Sequence, residues 1–181
     1  MKIDFVETNQ LAVPVRRRDH IQGAMNAPLT LLEYGDYECP YCSQACELVK
    51  QITETLGARL RFVFRNFPLA NIHPHAVHAA EAAEAAGAQG RFWEMHELLF
   101  AHQDALGDED LGRYATELRL DDERVRREID AGTHFGRIRN DFKNGVRSGV
   151  SGTPTFFVND ARYDGLLDSG SLIAALNESV R

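Results

Sequence analysis

All three cysteines of this chain fall within one short stretch, YECPYCSQAC, as Cys39, Cys42 and Cys46. A compact apolar run, LTLLEY, precedes them and predicts a buried strand. The segment from Pro40 to Leu56 predicts a helix, because Leu and Ile recur along it at four-residue spacing and Gly57 is placed to end it. The pair C-x-x-C therefore lies at a strand-to-helix junction, and this placement restricts both the folds and the chemistry open to the chain.

The pattern beyond this helix predicts a second strand and then a long helical block. RLRFVFRNF alternates apolar and basic residues, so two strands and the helix between them form a βαβ unit with parallel strands and a right-handed crossover. From about 73 to 149 the Ala- and Glu-rich segments predict helices only. TFFVN and DARY then predict two short strands, followed by a last helix capped by Asp168 or Ser169. Near the start, LAVPV predicts an edge strand.

Composition narrows the classes of function. The chain has 181 residues, 44% hydrophobic and 26% charged, which suits one ordinary domain with a hydrophobic core. A net charge of −7 argues against nucleic-acid binding, and the basic run at 16–18 is expected to be a solvated loop, with a partner-docking patch as the alternative. No apolar run approaches the roughly 18 residues that span a bilayer, and the start lacks a signal-peptide pattern. We expect a cytoplasmic protein, or a periplasmic or other extracytoplasmic one if an export signal has been removed.

The C-x-x-C spacing predicts a redox dithiol. At the start of a helix, unsatisfied backbone N–H groups and the helix dipole stabilise a thiolate at Cys39, and Pro40 suits the first turn because it needs no N–H there. Cys42 lies one turn further, close enough to complete thiol–disulfide exchange. A zinc site is disfavoured because the nearest histidine cluster, HPHAVH, lies some thirty residues away. A purely structural disulfide is disfavoured because so short a loop stabilises little.

Two further features favour the redox interpretation. Glu33 lies six residues before Cys39 within the apolar strand, where a carboxylate beneath the dithiol could relay a proton. The alternative is a glutamate at the strand end that reaches solvent. The Thr153–Pro154 pair ahead of a late strand is a candidate cis-proline turn, although most X-Pro bonds are trans.

Four motifs occur together in an order that resembles the DsbA-like branch of the thioredoxin superfamily: LLEYGDYECPYC, FRNFPL, QGRFWEMHELLF and SGTPTFFVN. They span most of the chain. The resemblance implies an α/β thioredoxin fold, βαβ…ββα, with an inserted all-helical subdomain. It predicts one domain over 1–181, with the thioredoxin-like part at about 10–69 and 149–181 and the helical insertion at about 70–148.

The resemblance also implies roles for the residues around the dithiol. Cys39 matches the exposed nucleophilic cysteine of such proteins, and Cys42 matches the resolving one. Pro40 and Tyr41 match the dipeptide that tunes the redox potential. Glu33 matches the buried acid that assists the resolving cysteine.

The expected function is thiol–disulfide exchange with protein thiols and disulfides, without a metal or an organic cofactor. Thr153 and Pro154 match the cis-proline turn, with which an extended substrate segment would pair. Glutathione or a thioredoxin-type protein is the candidate redox partner. The direction (oxidase, isomerase or reductase) stays open. So do two other functions: a non-catalytic thioredoxin-fold binding or chaperone module, and a kappa-type glutathione transferase, a class that uses a Ser or a lone Cys at this position.

The resemblance implies no role for the remaining thiol or for the histidines. Cys46 is expected to be a buried thiol, and the alternative is a disulfide between Cys46 and Cys42. His73 and His75 are candidates to lie near the dithiol and to stabilise a thiolate. His96 is expected to be a hydrogen-bonded residue of the core or its rim.

Overall fold

One mixed sheet organises residues 9–180, which are the residues that the computed structural model describes. The predictions for residues 1–8 and 181 lie outside this range. Five strands of the described range pair in the order β1-β3-β2-β4-β5. The strands are β1 (His20–Gln22), β2 (Leu29–Gly35), β3 (Leu60–Asn66), β4 (Thr155–Val158) and β5 (Ala161–Tyr163). The central strands β2 and β3 are parallel, and all other neighbouring strands are antiparallel.

Seven α-helices complete the described range. They are α1 (Pro40–Leu56), α2 (Ala76–Gly87), α3 (Phe92–Ala101), α4 (Asp108–Glu117), α5 (Asp122–Ala131), α6 (Phe135–Arg147) and α7 (Ser169–Glu178). The order β2-α1-β3, five helices, then β4-β5-α7 confirms the predicted α/β fold class. Asp168 caps α7, as expected, by accepting the backbone N–H of Ser171. Within residues 9–180, no helix is both long and apolar enough to cross a membrane.

The sheet is covered on both faces, which explains why every residue of β2 is buried. Successive side chains of a strand point to opposite faces. Leu31 belongs to the larger core cluster, which includes residues of α1, α2 and α3. Leu32 and Tyr34 belong to a smaller cluster, against which Phe142 of α6 packs. Glu33 is two residues from Leu31, so its carboxyl group points to the face that α1 covers.

The predicted edge strand at LAVPV is wrong. Residues 11–15 have no strand conformation, and only an isolated bridge joins Gln10 to Ala161 of β5. Two carbonyl groups of this segment, those of Val13 and Pro14, instead accept hydrogen bonds from the buried guanidinium of Arg65. The edge strands are β1, a three-residue segment further along the chain that pairs with β3, and β5 at the opposite edge.

Candidate active site

The dithiol lies where β2 leads into α1. Cys39 is the N-cap residue of α1, with an extended backbone at φ −77° and ψ 120°, and Pro40 begins the helix. No side chain caps this end of the helix, and its first turn has no acidic residue. The positive end of the helix dipole is therefore left to act on the Cys39 sulfur.

The environment of Cys39 favours the thiolate. A hydrogen bond from the Cys42 thiol is the largest influence, and it lowers the pKa of Cys39 to about 5 against the opposing effect of burial. Thr153 and the backbone N–H groups of Cys42 and Tyr41 lower the pKa further. The Cys39 Sγ lies 3.4 Å from the carbonyl oxygen of Thr153, to which only the protonated thiol can donate. At neutral pH, Cys39 is therefore the ionised member of the pair.

Cys42 has the opposite character. It is fully buried, and burial raises the pKa of its thiol far above the usual value. Its hydrogen bond to the Cys39 sulfur and the charge of Glu33 raise the pKa further. The backbone N–H of Asp36 points to the Cys42 sulfur at 3.5 Å and opposes the shift. The two thiols are thus prepared for different steps: one is a thiolate and the other is a protonated donor.

The structure corrects one expectation for Cys39, which is only 4% exposed. The Thr153–Pro154 turn, whose peptide bond is cis, covers the sulfur from the side of β4. The solvent-exposed members of the motif are Pro40 and Tyr41, the latter at 67%. The Cys39 sulfur is therefore largely covered, whereas Tyr41 two residues along is open to solvent.

Glu33 is a buried carboxylic acid with 1% exposure, so the alternative of a solvent-reaching glutamate is wrong. Burial, and secondarily the charge of Cys39, raises the pKa of Glu33 to about 8. Its Oε1 atom has no hydrogen-bond partner among the described residues. Gly35 keeps this space open, since an added Cβ would come within 2.4 Å of Phe64 and 3.0 Å of Glu33 Oε1. The arrangement provides a protonated carboxyl group that can ionise near pH 8.

Sequence reasoning missed Asp36, the buried residue that joins the dithiol to the loop after β3. Its carboxylate accepts the backbone N–H groups of Glu38 and Leu69, each at 2.8 Å, and the Nδ1–H of His73 at 2.8 Å. The sequence carried a local signal for the bond to Glu38, because an aspartate often forms an Asx turn in which its carboxylate accepts the backbone N–H two residues later. His73 therefore faces Asp36, and the exposed His75 binds Glu38 only through its backbone N–H.

Gln103, between α3 and α4, was also missed. Its Nε2 donates to the carbonyl oxygens of Tyr37 and Cys39, both at 2.8 Å. The Tyr37 hydroxyl lies 3.1 Å from Nδ1 of His96. His96 is a buried, hydrogen-bonded core residue, as expected, and burial lowers its pKa to about 3. Side chains of the helical block therefore hold the segment that carries the dithiol.

The remaining thiol, Cys46, is buried, and burial raises its pKa to about 12. All three cysteines are free thiols in the structure, so the alternative disulfide between Cys42 and Cys46 is not formed. Across residues 9–180, no group of three or more His, Cys, Asp and Glu side chains is arranged to hold a metal ion.

A C-x-x-C pair at the start of the first helix of a βαβ unit, facing a cis-proline turn, defines a thioredoxin-fold dithiol site. The sequence model of the thioredoxin family matches residues 16–178, and the chain belongs to that family. Solved structures share the fold. BdbD from Bacillus subtilis superposes with a TM-score of 0.82 at 23% identity, covering 90% of this chain and 92% of that one. A thioredoxin-like oxidoreductase from Silicibacter pomeroyi superposes with a TM-score of 0.81 at 27% identity, covering 91% and 93%.

Curated relatives are closer in sequence but much longer. A protein named Na(+)/H(+) antiporter NhaA 3 from Salinispora tropica is 49% identical over 167 residues, which are 92% of this chain and 26% of that protein. One named Na(+)/H(+) antiporter NhaA 1 from Mycobacterium sp. (strain KMS) is 45% identical over 161 residues, 88% of this chain and 26% of that protein. The chain thus spans about a quarter of the length of the curated relatives that it matches.

Proposed function

We propose that the protein is a thiol–disulfide oxidoreductase that exchanges disulfides with protein substrates through Cys39 and Cys42. The observation that carries this proposal is the opposite ionisation of two adjacent thiols, with the pKa of Cys39 lowered to about 5 and that of Cys42 strongly raised. A structural cysteine pair needs no such difference, whereas exchange chemistry needs one thiolate to attack and one thiol held in reserve.

The reaction with a substrate disulfide has two steps. The Cys39 thiolate attacks one substrate sulfur, so the substrate S–S bond breaks, a mixed disulfide forms and the first substrate thiolate leaves. Cys42 then loses its proton and attacks the Cys39 sulfur, which releases the second substrate thiolate and forms the Cys39–Cys42 disulfide. Two electrons pass from the dithiol to the substrate, and the reverse sequence transfers the disulfide to a substrate dithiol.

Glu33 is the group proposed to take the Cys42 proton. In the reduced protein the Cys39 thiolate helps to keep Glu33 protonated, because the two charges repel each other. When Cys39 becomes part of a mixed disulfide, that charge is lost. Glu33 can then ionise more readily, at the step in which Cys42 must be deprotonated.

The pKa of Cys39 also bears on direction. A value of about 5 lies between those of thioredoxin, about 7, and DsbA, about 3.5. A stabilised thiolate favours the reduced form of the dithiol. We therefore expect the reduction potential of the Cys39–Cys42 couple to lie between those of thioredoxin, about −270 mV, and DsbA, about −120 mV. The protein would then donate its disulfide more readily than thioredoxin does. This proposal puts the activity in an oxidising compartment, the second of the two locations expected from the sequence.

The test is a titration of the protein against glutathione buffers, with thiols trapped by alkylation and counted by mass. A reversible two-thiol transition within that range is expected. It should persist in Cys46→Ser, the matched control, and disappear in Cys39→Ser. Oxidation of a reduced protein substrate should depend on the same cysteines. Absence of the two-thiol transition would refute the oxidoreductase proposal and favour the non-catalytic binding module.

The names of the curated relatives favour a second candidate, in which the dithiol acts on a Na(+)/H(+) antiporter. The test is cation-dependent proton exchange in membrane vesicles that contain such an antiporter, with the reduced or the oxidised protein added. The exchange rate should differ between the two redox states, and Cys39→Ser should abolish the difference. An exchange rate that is independent of the redox state would eliminate this candidate.

A further inference from the structure

The outer face of α6 carries an apolar groove that the dithiol chemistry does not use. The groove has a volume of about 190 Å³. The loop after β3 and the start of α2 form one wall, and α6 forms the other. The lining side chains on the two walls are Pro68, Ala70 and Val77, facing Phe135, Ile138 and Phe142.

Apolar side chains continue along the helix from this groove. At about 100° per residue, Phe135, Phe142 and Val146 fall within an arc of about 40° on α6. Phe135 is 47% exposed and Val146 is 49% exposed. Phe142 is partly buried, because its ring stacks on Phe67 at 4.3 Å. These three side chains therefore form an apolar row along α6, in which the two end residues are exposed and Phe142 between them is recessed.

A basic row lies beside the apolar one. Arg139 and Lys143 are four residues apart, so they are neighbours on the helix surface. Both are exposed, and neither forms an ion pair with any residue of the described range. Arg147 extends the row by another turn. Of the four cations in α6, Arg137 is paired with Glu84, so Arg139 and Lys143 supply the exposed positive charge beside the groove, in a chain whose net charge is −7. An anionic partner therefore meets favourable charge here, in contrast to the chain as a whole.

The groove is also connected to the dithiol. Pro68 and Ala70 of its wall flank Leu69, whose backbone N–H donates to the Asp36 carboxylate at 2.8 Å. The Asp36 backbone N–H in turn points to the Cys42 sulfur at 3.5 Å. One short loop thus joins the docking surface to the reacting cysteines.

We propose that the α6 face, defined by the groove with Phe135, Arg139, Lys143 and Val146, docks an acidic segment with an apolar anchor on the protein partner of the dithiol. That the docked segment belongs to the protein partner of the dithiol rests on the proposed function. The groove and its charge are features of the structure and do not depend on that function. A recessed groove accepts an inserted side chain, which favours a polypeptide over a flat anionic bilayer. The basic row then pairs with the carboxylates beside the anchor, as in other recognition of acidic motifs.

The test is binding of a fluorescein-labelled, cysteine-free peptide in which a Phe-Leu pair is flanked by Asp and Glu, followed by anisotropy. We expect saturable binding that weakens with salt, and no binding of the matched peptide with Lys in the acidic positions. The double variant Arg139→Glu, Lys143→Glu should lower the affinity by about tenfold or more. Phe135→Ser, a change at an exposed position, should also weaken binding.

The control is the double variant Arg17→Glu, Arg18→Glu, which makes the same change of charge in an exposed loop and should leave the affinity within about twofold. Equal loss in both double variants, or equal binding of the two peptides, would overturn the proposal. So would binding to anionic phosphatidylglycerol vesicles without binding of the peptide. If the wild-type protein shows no two-thiol transition but binds the peptide, and Cys39→Ser binds it equally well, the surface is supported and the oxidoreductase function is refuted separately.

Discussion

Glu33 is a carboxylic acid in the middle of a buried strand, and the structure predicts how its ionisation changes stability. Its pKa is raised from 4.5 to about 8, chiefly by burial. Between these two values the native state keeps a proton that the unfolded chain has lost. The native state therefore binds more protons than the unfolded state in this window, and the free energy of unfolding falls as pH rises through it.

The size of this change in the free energy of unfolding follows from the difference between the two pKa values of Glu33. At about 1.36 kcal/mol per pKa unit, the interval from 4.5 to about 8 corresponds to about 5 kcal/mol once pH exceeds the native pKa. The same relation gives about 3 kcal/mol at pH 7 and about 1 kcal/mol at pH 5. Glu33→Gln keeps the shape of the side chain and removes its titration. The stability of this variant relative to the wild type should therefore increase with pH by these amounts.

The assay is urea unfolding of both reduced proteins at pH 5, 7 and 9. A buried amide adds its own hydrogen-bonding cost, but this cost does not change with pH, so the slope is the readout. Glu84→Gln is the matched control. Glu84 is also a buried carboxylate, but His20 and Arg137 hold it, and its pKa is lowered despite the opposing effect of burial. Glu84→Gln should destabilise the protein at neutral pH, and this loss should fade on acidification below the ordinary glutamate pKa.

A stability difference between wild type and Glu33→Gln that stays flat from pH 5 to 9 would refute this reasoning. It would mean that Glu33 has the same pKa in the folded and the unfolded state. If the variant instead loses stability relative to the wild type as pH rises, the native state stabilises the carboxylate, and Glu33 would then be unsuited to hold a proton until Cys42 is due to lose its own.

Three other substitutions test the packing around the site, each by urea unfolding. Arg65→Met should cost about 3–5 kcal/mol, because it leaves the buried Asp19 carboxylate, 3.0 Å from the Arg65 guanidinium, without its partner. Gly145→Ala should cost about 1–3 kcal/mol, because the added Cβ would meet the Phe67 ring at 2.7 Å. Asp36→Ala should cost about 1–3 kcal/mol and speed proteolysis of the loop after β3, because three donors lose their acceptor.

The elements that the sequence predicted well are those whose pattern is local. The helix α1 repeats apolar residues every four positions, β2 is a compact apolar run, and β3 alternates apolar and basic residues. Each pattern therefore identifies its element without knowledge of the rest of the chain. β1 has no such pattern, because three residues at a sheet edge are fixed by their antiparallel pairing with β3. LAVPV has a strand-like composition, but Arg65 uses two of its carbonyl groups.

The residues of the candidate site also fall into those that a local sequence pattern predicts and those that it does not. Cys39, Cys42 and Glu33 could be found because spacing along one strand and one helix brings them together. The long-range contacts of Asp36 and Gln103 could not be found in this way, since Asp36 also binds a loop that returns some thirty residues later, and Gln103 acts from the far end of α3. Neither contact leaves a trace in local spacing.

The ionisation of the two thiols depends on both kinds of information. The N-cap position of Cys39 follows from the sequence, and it favours a thiolate in any protein with this junction. The high pKa of Cys42 instead follows from its burial on the inner side of α1 and near Glu33, which requires the complete sheet and its covering helices. A C-x-x-C motif therefore identifies which sulfur attacks. How firmly the second sulfur holds its proton depends, besides its hydrogen bond to Cys39, on burial and on Glu33, which the motif does not contain.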